Sequence, residues 1–408
     1  MNHLYKLVHA VTLIFFLLPL ATTAQAKSTQ TLTVVSSEVK LELIGYWSPN
    51  KLNNILQQLA PEFFGVTVKY SPATNGVSLY RITYPSVIPE RGNQPTIATG
   101  LLAIPDIDSS NLSIVSYQHG TVYGKQQVPS FPEQSTETAL MIAQFAGQGY
   151  IVIGADYFGL GKSTEPEGYM VKASHQQSSY DMLVASKAVL SHMQINTRNL
   201  FLAGWSQGGF VTMAFLEKLE KANIPVQAAV TASAPTDIFI TLSGFLNFPR
   251  ANDADWVPTL FILSSFSFEH YYGIPGLARS IINEDYFEVS RKAYERQQYD
   301  PADIPTDLRK LIKKEYFNSQ FFAASAYGRL IADTQAYRWV IKSLVKNYYG
   351  EADEAITIGL GRLPMVYQQA IGNGNPQVEA ISTGLTTHRG TFATAVPLWK
   401  IVFDDKNH

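Results

Sequence analysis

The stretch Asn199-Leu-Phe-Leu-Ala-Gly204-Trp-Ser206-Gln-Gly208-Gly-Phe210 carries an apolar run straight into Gly-Trp-Ser-Gln-Gly. Beyond it, Phe210, Met213, Ala214, Leu216 and Leu219 fall at the spacing of a buried helix face. The pattern predicts a strand, a sharp turn and a helix. In such an elbow the strand and helix pass too close for a Cβ two positions to either side of the serine, and Gly204 and Gly208 meet that demand. Ser206 is therefore a candidate nucleophile. A Gly-rich pentapeptide also arises by chance, so its partners decide the matter.

A serine hydroxyl is a poor nucleophile near neutral pH and needs a base, which in turn needs a carboxylate to hold its tautomer. An elbow of this type is followed in the chain by the acid and then the histidine. Of the eight histidines, His3 and His9 lie in the leader, His119, His175 and His192 precede the serine, His270 lies in an atypical region and His408 is terminal. That leaves His388, in Leu385-Thr-Thr-His-Arg-Gly-Thr-Phe between the last strand and the last helix. The acid belongs to Tyr349-Gly-Glu-Ala-Asp-Glu, where a strand ends at a glycine. Asp353 is favoured over Glu351 and Glu354 because a short side chain in a turn holds an imidazole better than a flexible one. Asp237, past the strand ending at Ala232, is the runner-up and reads more naturally as a helix cap.

Two backbone N–H groups should face the developing oxyanion. One is that of Gln207, and the other belongs to Tyr117-Gln-His-Gly120-Thr121-Val122. Gly120 lets the backbone approach, Thr121 or Val122 donates, and His119 anchors the loop. Asp156, in Asp-Tyr-Phe-Gly-Leu-Gly, is assigned a structural role, because the glycine spacing is not that of a phosphate loop.

The surrounding chain reads as α/β. Leu32–Val39 is extended and 49–64 helical, and 66–70, 77–84 and 96–104 read as adjacent antiparallel strands. Then 112–117, 151–154, 200–203 and 226–232 are apolar strands spaced by helices, which predicts a mostly parallel sheet covered on both faces. Strands at 344–349 and 378–381 and a closing helix at 391–403 resume the pattern. Residues 237–337 break it with helical, aromatic-rich sequence, read as a cap inserted between the sixth and seventh core strands, with 27–236 and 338–408 as the core. The alternative is a helical domain with its own core.

Residues 1–26 stand apart: Lys6, an apolar run from Leu7 to Leu20 and Ala24-Gln-Ala26 have the layout of a secretory signal peptide. The run is short for a bilayer span, so a lasting membrane anchor is the lesser reading. Export to the periplasm or the medium follows, and with no cysteine the exported chain relies on its core. A formal charge of -2 and 46% hydrophobic residues fit a globular chain and offer no electrostatic case for nucleic acid.

Six pieces resemble the α/β-hydrolase superfamily, and within it exported bacterial esterases and lipases akin to the secretory lipases. They are Ala98-Thr-Gly-Leu-Leu-Ala-Ile-Pro, Gln118-His-Gly-Thr, Asp156-Tyr-Phe-Gly-Leu-Gly, Gly204-Trp-Ser-Gln-Gly-Gly, Tyr349-Gly-Glu-Ala-Asp-Glu and Thr387-His-Arg-Gly, in family order over roughly residues 95 to 400. The resemblance implies an α/β-hydrolase fold, a Ser206, Asp353, His388 triad, a cap and no cofactor or metal. The last motif departs from the usual Asp-His-Gly in Thr387 and Arg389. A carboxylesterase or lipase acting on a small-molecule or lipid ester is the first reading. A serine peptidase or acyltransferase on the same triad is the second, and a silent binding module the third. Expressed in an exporting bacterial host, the mature chain is expected to begin at Lys27; N-terminal sequencing that reads Met1 on membrane-bound protein would favour the anchor.

Overall fold

The structure, a computed structural model, describes residues 32–35, 38–109, 111–371 and 377–407. The expected signal peptide lies outside them. Among the described residues ten strands form one sheet: β1 (Leu32–Val34), β2 (Lys40–Trp47), β3 (Val77–Ile88), β4 (Gln94–Pro105), β5 (Asn111–Gln118), β6 (Ile151–Ala155), β7 (Asn196–Trp205), β8 (Ala228–Ala232), β9 (Leu344–Tyr349) and β10 (Val378–Ser382). Their order is β1-β2-β3-β4-β6-β5-β7-β8-β9-β10. The first four pair antiparallel, β4 meets β6 antiparallel, and from β6 to β10 every neighbour is parallel.

Both faces of the parallel part are covered. Leu200 and Leu202 of β7 join one apolar cluster with helices Lys172–His192 and Gln207–Lys221, and Phe201, Ala203 and Trp205 join the other with helices Thr136–Gln144 and His388–Asp405. Side chains still alternate with the strand period, yet both sets are buried, which is why β7 reads as an unbroken apolar run.

The opening strands differ from expectation. Residues 66–70 have the alternation of a strand but pair with nothing; Gly65 in a left-handed conformation ends the helix before them, and Val66 and Val68 pack from an irregular segment. The place beside β3 is taken instead by β2, whose Leu41 and Trp47 point inward. With β4 on its other side, β3 has no free edge for a further strand.

Counting core strands from β3, a helical insertion leaves the sheet after the sixth, β8, and returns at the seventh, β9. Its longer helices are Ile238–Asn247, Val257–Tyr272 and Glu284–Tyr294. Their inward residues, among them Leu242, Phe245, Phe261 and Phe268, belong to the same cluster as Tyr157, Tyr169 and Met170 of the core, so the insertion shares that core. Among the described residues no helix is long and apolar enough to cross a membrane.

Glycine demand differs sharply between positions. A Cβ on Gly204 would run into the Gly208 carbonyl and the Thr212 hydroxyl, whereas one on Gly244, in an insertion helix, meets nothing. Gly204→Ala is expected to cost several kcal/mol, roughly 3 or more, or to prevent folding. Gly244→Ala should be neutral or stabilise by about 0.5–1 kcal/mol. Chemical unfolding of the two variants checks the contrast.

Candidate active site

The elbow sits at the carboxyl end of β7. Ser206 has φ 56° and ψ -124°, a left-handed backbone that a non-glycine residue rarely adopts, and its N–H is tied to the Ala232 carbonyl at 2.9 Å. The helix begins at once with Gln207. The serine side chain is thereby lifted above the strand ends, where ligands of parallel sheets bind.

Ser206 Oγ lies 2.9 Å from His388 Nε2. His388 Nδ1 lies 3.1 Å from both Asp353 oxygens. With the ring proton on Nδ1, the imidazole donates to Asp353 and presents the Nε2 lone pair to the serine. His388 is the first residue of its helix rather than part of a preceding loop, because Thr387 caps it by accepting the Gly390 N–H at 3.1 Å.

The three acidic neighbours separate by what they hold. Asp353 accepts the Ala355 and Ile356 N–H groups, each at 2.8 Å, and the Ser233 hydroxyl at 2.6 Å. Glu354 accepts the backbone N–H of His388 at 2.8 Å. Glu351 turns away to the Ser382 hydroxyl. Asp237 caps the helix Ile238–Asn247 through the Ile240 N–H and takes the Tyr337 hydroxyl. Burial raises the Asp353 carboxyl, but the imidazole and these hydrogen bonds outweigh it and hold the group below its ordinary value.

The loop after β5 requires a correction. The N–H of Gly120 is bonded to Glu137 Oε1 at 2.7 Å, so it does not face Ser206. Val122 lines neither cavity beside the serine, and its carbonyl accepts from Arg296. Thr121 does line the site. A Cβ on Gly120 would crowd Trp205 and Glu137, so the glycine serves the close approach.

Glu137 went unnoticed in the sequence, where it sits in an ordinary Ser-Thr-Glu-Thr helix start. It also accepts the Tyr117 hydroxyl at 3.0 Å, and burial pushes its carboxyl up to about 7. Behind the loop, His119 stacks on Tyr157 at 4.1 Å, and Tyr157 meets His175 edge-on. His119 lies 2.8 Å from the Gly120 carbonyl and 3.2 Å from that of Asp156. Asp156 itself accepts from Ser130 and Thr99 and ties three segments together. His175 accepts the Met170 N–H and touches the Gln207 amide.

Two cavities meet at Ser206 and His388 and share Trp256. One, of about 30 Å³, runs under the insertion between Met170, Ile238, Leu242, Phe245, Leu260 and Ile356, all buried. Its hydroxyls are spent: Thr241 donates to the Asp237 carbonyl, and Ser264 bonds Leu260 and Tyr327. The other, of about 80 Å³, is lined by Thr121, Glu354, the half-exposed Tyr123 and the exposed Arg389.

A family model described as serine aminopeptidase, S33, matches residues 128–253, which include Ser206 and stop short of Asp353. No curated protein matches. Among solved structures the chain is similar to a hydrolase candidate from Legionella pneumophila, with TM-score 0.77 and 21% identity over 92% of this chain and 97% of that one. It is similar to the rice cell wall degrading esterase LipA from Xanthomonas oryzae, with TM-score 0.75 and 20% identity over 93% and 99%. Candida antarctica lipase A follows with TM-score 0.61 and 14% identity over 89% and 82%. At these identities the likeness speaks to the fold, which is that of the α/β-hydrolases, and the site adds a buried His–Asp pair in keeping with serine-type hydrolase chemistry.

The buried histidines couple stability to pH. Burial lowers His119 to about 4 and His175 to about 3, each from 6.5. Their stabilisation is present above pH 6.5 and is lost as pH falls towards those values, because the unfolded chain takes the proton first. Glu137, raised to about 7, acts oppositely: its contribution is full below pH 4.5 and fades as pH rises to 7. Between pH 6.5 and 5 each histidine is expected to contribute about 1 kcal/mol per pH unit. Urea unfolding across that range should show a slope smaller by about that amount in His175→Gln, whose amide oxygen can still accept the Met170 N–H.

Proposed function

We propose that this chain is an exported serine carboxylic-ester hydrolase, esterase or lipase in type, with Ser206 as nucleophile, His388 as base and Asp353 as the residue that orients it. The observation that carries the reading is the continuous line from Ser206 Oγ through the imidazole to the buried Asp353 carboxylate, beside a cavity walled by apolar residues.

In this mechanism Ser206 Oγ attacks the ester carbonyl and its proton passes to His388 Nε2. The tetrahedral oxyanion is met by the N–H groups of Gln207 and Thr121, and the imidazolium is balanced by Asp353. Collapse breaks the bond to the alcohol oxygen, which leaves with the proton from Nε2. Water then attacks the acyl-enzyme, gives its proton to His388, and the acid departs as the proton returns to Ser206.

The two cavities support a division of labour. The alcohol must leave while the acyl group is still attached to Ser206, so the cavity walled by buried apolar residues suits the acyl part, and the one bordered by the exposed Tyr123 and Arg389 suits the departing alcohol and incoming water. The aminopeptidase model that matches residues 128–253 favours a peptidase as the second reading. In that case the acyl half of the substrate would carry an ammonium into the apolar cavity. No carboxylate lines that cavity, and an unpaired ammonium there is costly.

Ser206→Ala is expected to lower kcat on p-nitrophenyl butyrate by on the order of 10⁴-fold or more and to abolish fluorophosphonate labelling. Asp353→Asn should cost on the order of 10⁴-fold while leaving the fold intact. Parent-like ester cleavage by Ser206→Ala would end the reading, and faster turnover of leucyl p-nitroanilide than of the ester would favour the peptidase.

A further inference from the structure

The turn that carries Asp353 and Glu354 is gripped from outside its own element. Both residues hold His388, one by the ring and one by the backbone N–H. Their two carbonyls are in turn held by the inserted segment: Arg250 Nη1 donates to the Asp353 carbonyl at 3.1 Å across 103 residues of chain, and the Ala254 N–H donates to the Glu354 carbonyl at 3.1 Å. Arg250 is itself fixed. Its Nε and its backbone N–H both bond the Asp253 carboxylate at 2.7 Å, and the Asp253 N–H returns to the Arg250 carbonyl at 3.1 Å. Three residues past Asp253, Trp256 lies 5.6 Å from the imidazole, ring to ring, and packs against Ala355, Ile356 and Leu360.

We infer that Arg250 is a positioning residue, and that residues 250–256 of the insertion act as a brace that aligns the acid turn with His388. The inference rests on the triad reading above. An exposed salt bridge contributes little to stability, and the Arg250–Asp253 pair is partly exposed. Arg250 Nη2 moreover stays buried with no partner among the described residues, and an orphaned donor costs stability. A residue kept only for stability gains little from this arrangement. Its one long-range bond goes to the backbone of the residue that orients the imidazole. A carbonyl shift of even 1 Å at Asp353 would misalign the line to Ser206.

The test compares Arg250→Met, Arg250→Lys and Asp253→Asn in the full chain. The methionine keeps the stem packing and loses the grip. It is expected to lower kcat on p-nitrophenyl butyrate 10- to 100-fold with KM within threefold, and to lower the apparent pKa of the base in the kcat/KM profile. A lysine that reaches the same carbonyl restores part of kcat, and Asp253→Asn, which frees the guanidinium, falls between. The charged or titratable groups around that imidazole are Asp353, Glu354, Glu137 and Arg389, with Arg250 and Asp253 behind the Asp353 carbonyl; loss of the Arg250 cation alone would raise the base, so a lowered value reports the lost grip, and the lysine variant keeps the charge. The low-field proton resonance of His388 Nδ1, measured without substrate, should shift or broaden in Arg250→Met. A lowered melting temperature with unchanged kcat, profile and resonance would overturn the inference and leave Arg250 a structural residue. If the parent protein hydrolyses no ester, the resonance still decides the alignment, so the failure of the enzymatic reading is told apart from failure of the brace.

Discussion

The crossing of β7 and the helix Gln207–Lys221 is the constraint from which the site follows. The two elements come so close that a Cβ at Gly204 would run into Gly208 and Thr212 of the helix, while one at Gly208 would run into the backbone of Gln118 and His119 at the end of β5, and Ser206 between them has φ 56°. A backbone of that kind costs about 1–3 kcal/mol and persists only where its surroundings over-determine it. Here they do: the Ser206 N–H is bound by Ala232 at the end of β8, and its carbonyl is bound by the Gly209 and Phe210 N–H groups of the new helix. Once the serine is raised at that point, the neighbouring strand ends supply the rest in order. Just past β8 stands Ser233, past β9 stands Asp353, and after β10 comes the helix headed by His388. The parallel order of β7, β8, β9 and β10 brings these chain ends to one rim.

Three buried carboxylates near this rim show what sets the sign of an ionisation. Asp156 accepts three hydrogen bonds and Glu137 two, yet burial raises both. Asp353 is as deeply buried and is nevertheless lowered. Hydrogen bonds alone do not separate the cases, since Asp156 has as many from neutral donors as Asp353. The difference is the imidazole in direct contact, whose charge and hydrogen bond favour the ionised carboxylate. The fold thus keeps one carboxylate ready to meet a positive charge and uses the others to tie loops, Glu137 holding the Gly120 backbone and Asp156 the Ser130 segment.

Much of this was legible in the sequence because it rests on local pattern or chain order. The elbow is a local pattern. His388 follows from order, since only one histidine stands where a base can. Asp353 was less secure: Glu354 is equally acidic and adjacent, and the structure gives it the backbone of the same histidine. The loop after β5 was placed correctly, but which of its N–H groups is free depends on Glu137, whose bond to Gly120 spans 17 residues and leaves no mark on composition. The segment 66–70 failed for a related reason. Alternation announces a strand, but only an open edge makes one, and β2 had taken it.

The insertion was the least legible part, because its role is expressed in contacts with a turn a hundred residues away and not in any period of its own. Those contacts tie two functions together. Trp256 walls both cavities, and the chain leading to it grips the acid turn. Any displacement of Trp256 would draw on the same segment and loosen the carbonyls of Asp353 and Glu354. Each of those hydrogen bonds has a net worth of only about 1 kcal/mol, so the coupling is too weak to lock the insertion in place. It is strong enough to matter for alignment, where a factor of ten in rate corresponds to about 1.4 kcal/mol. In this arrangement Trp256, which walls both cavities, and the segment that holds the carbonyls of Asp353 and Glu354 are one piece of chain, so the shape of the cavities and the alignment of His388 are set together.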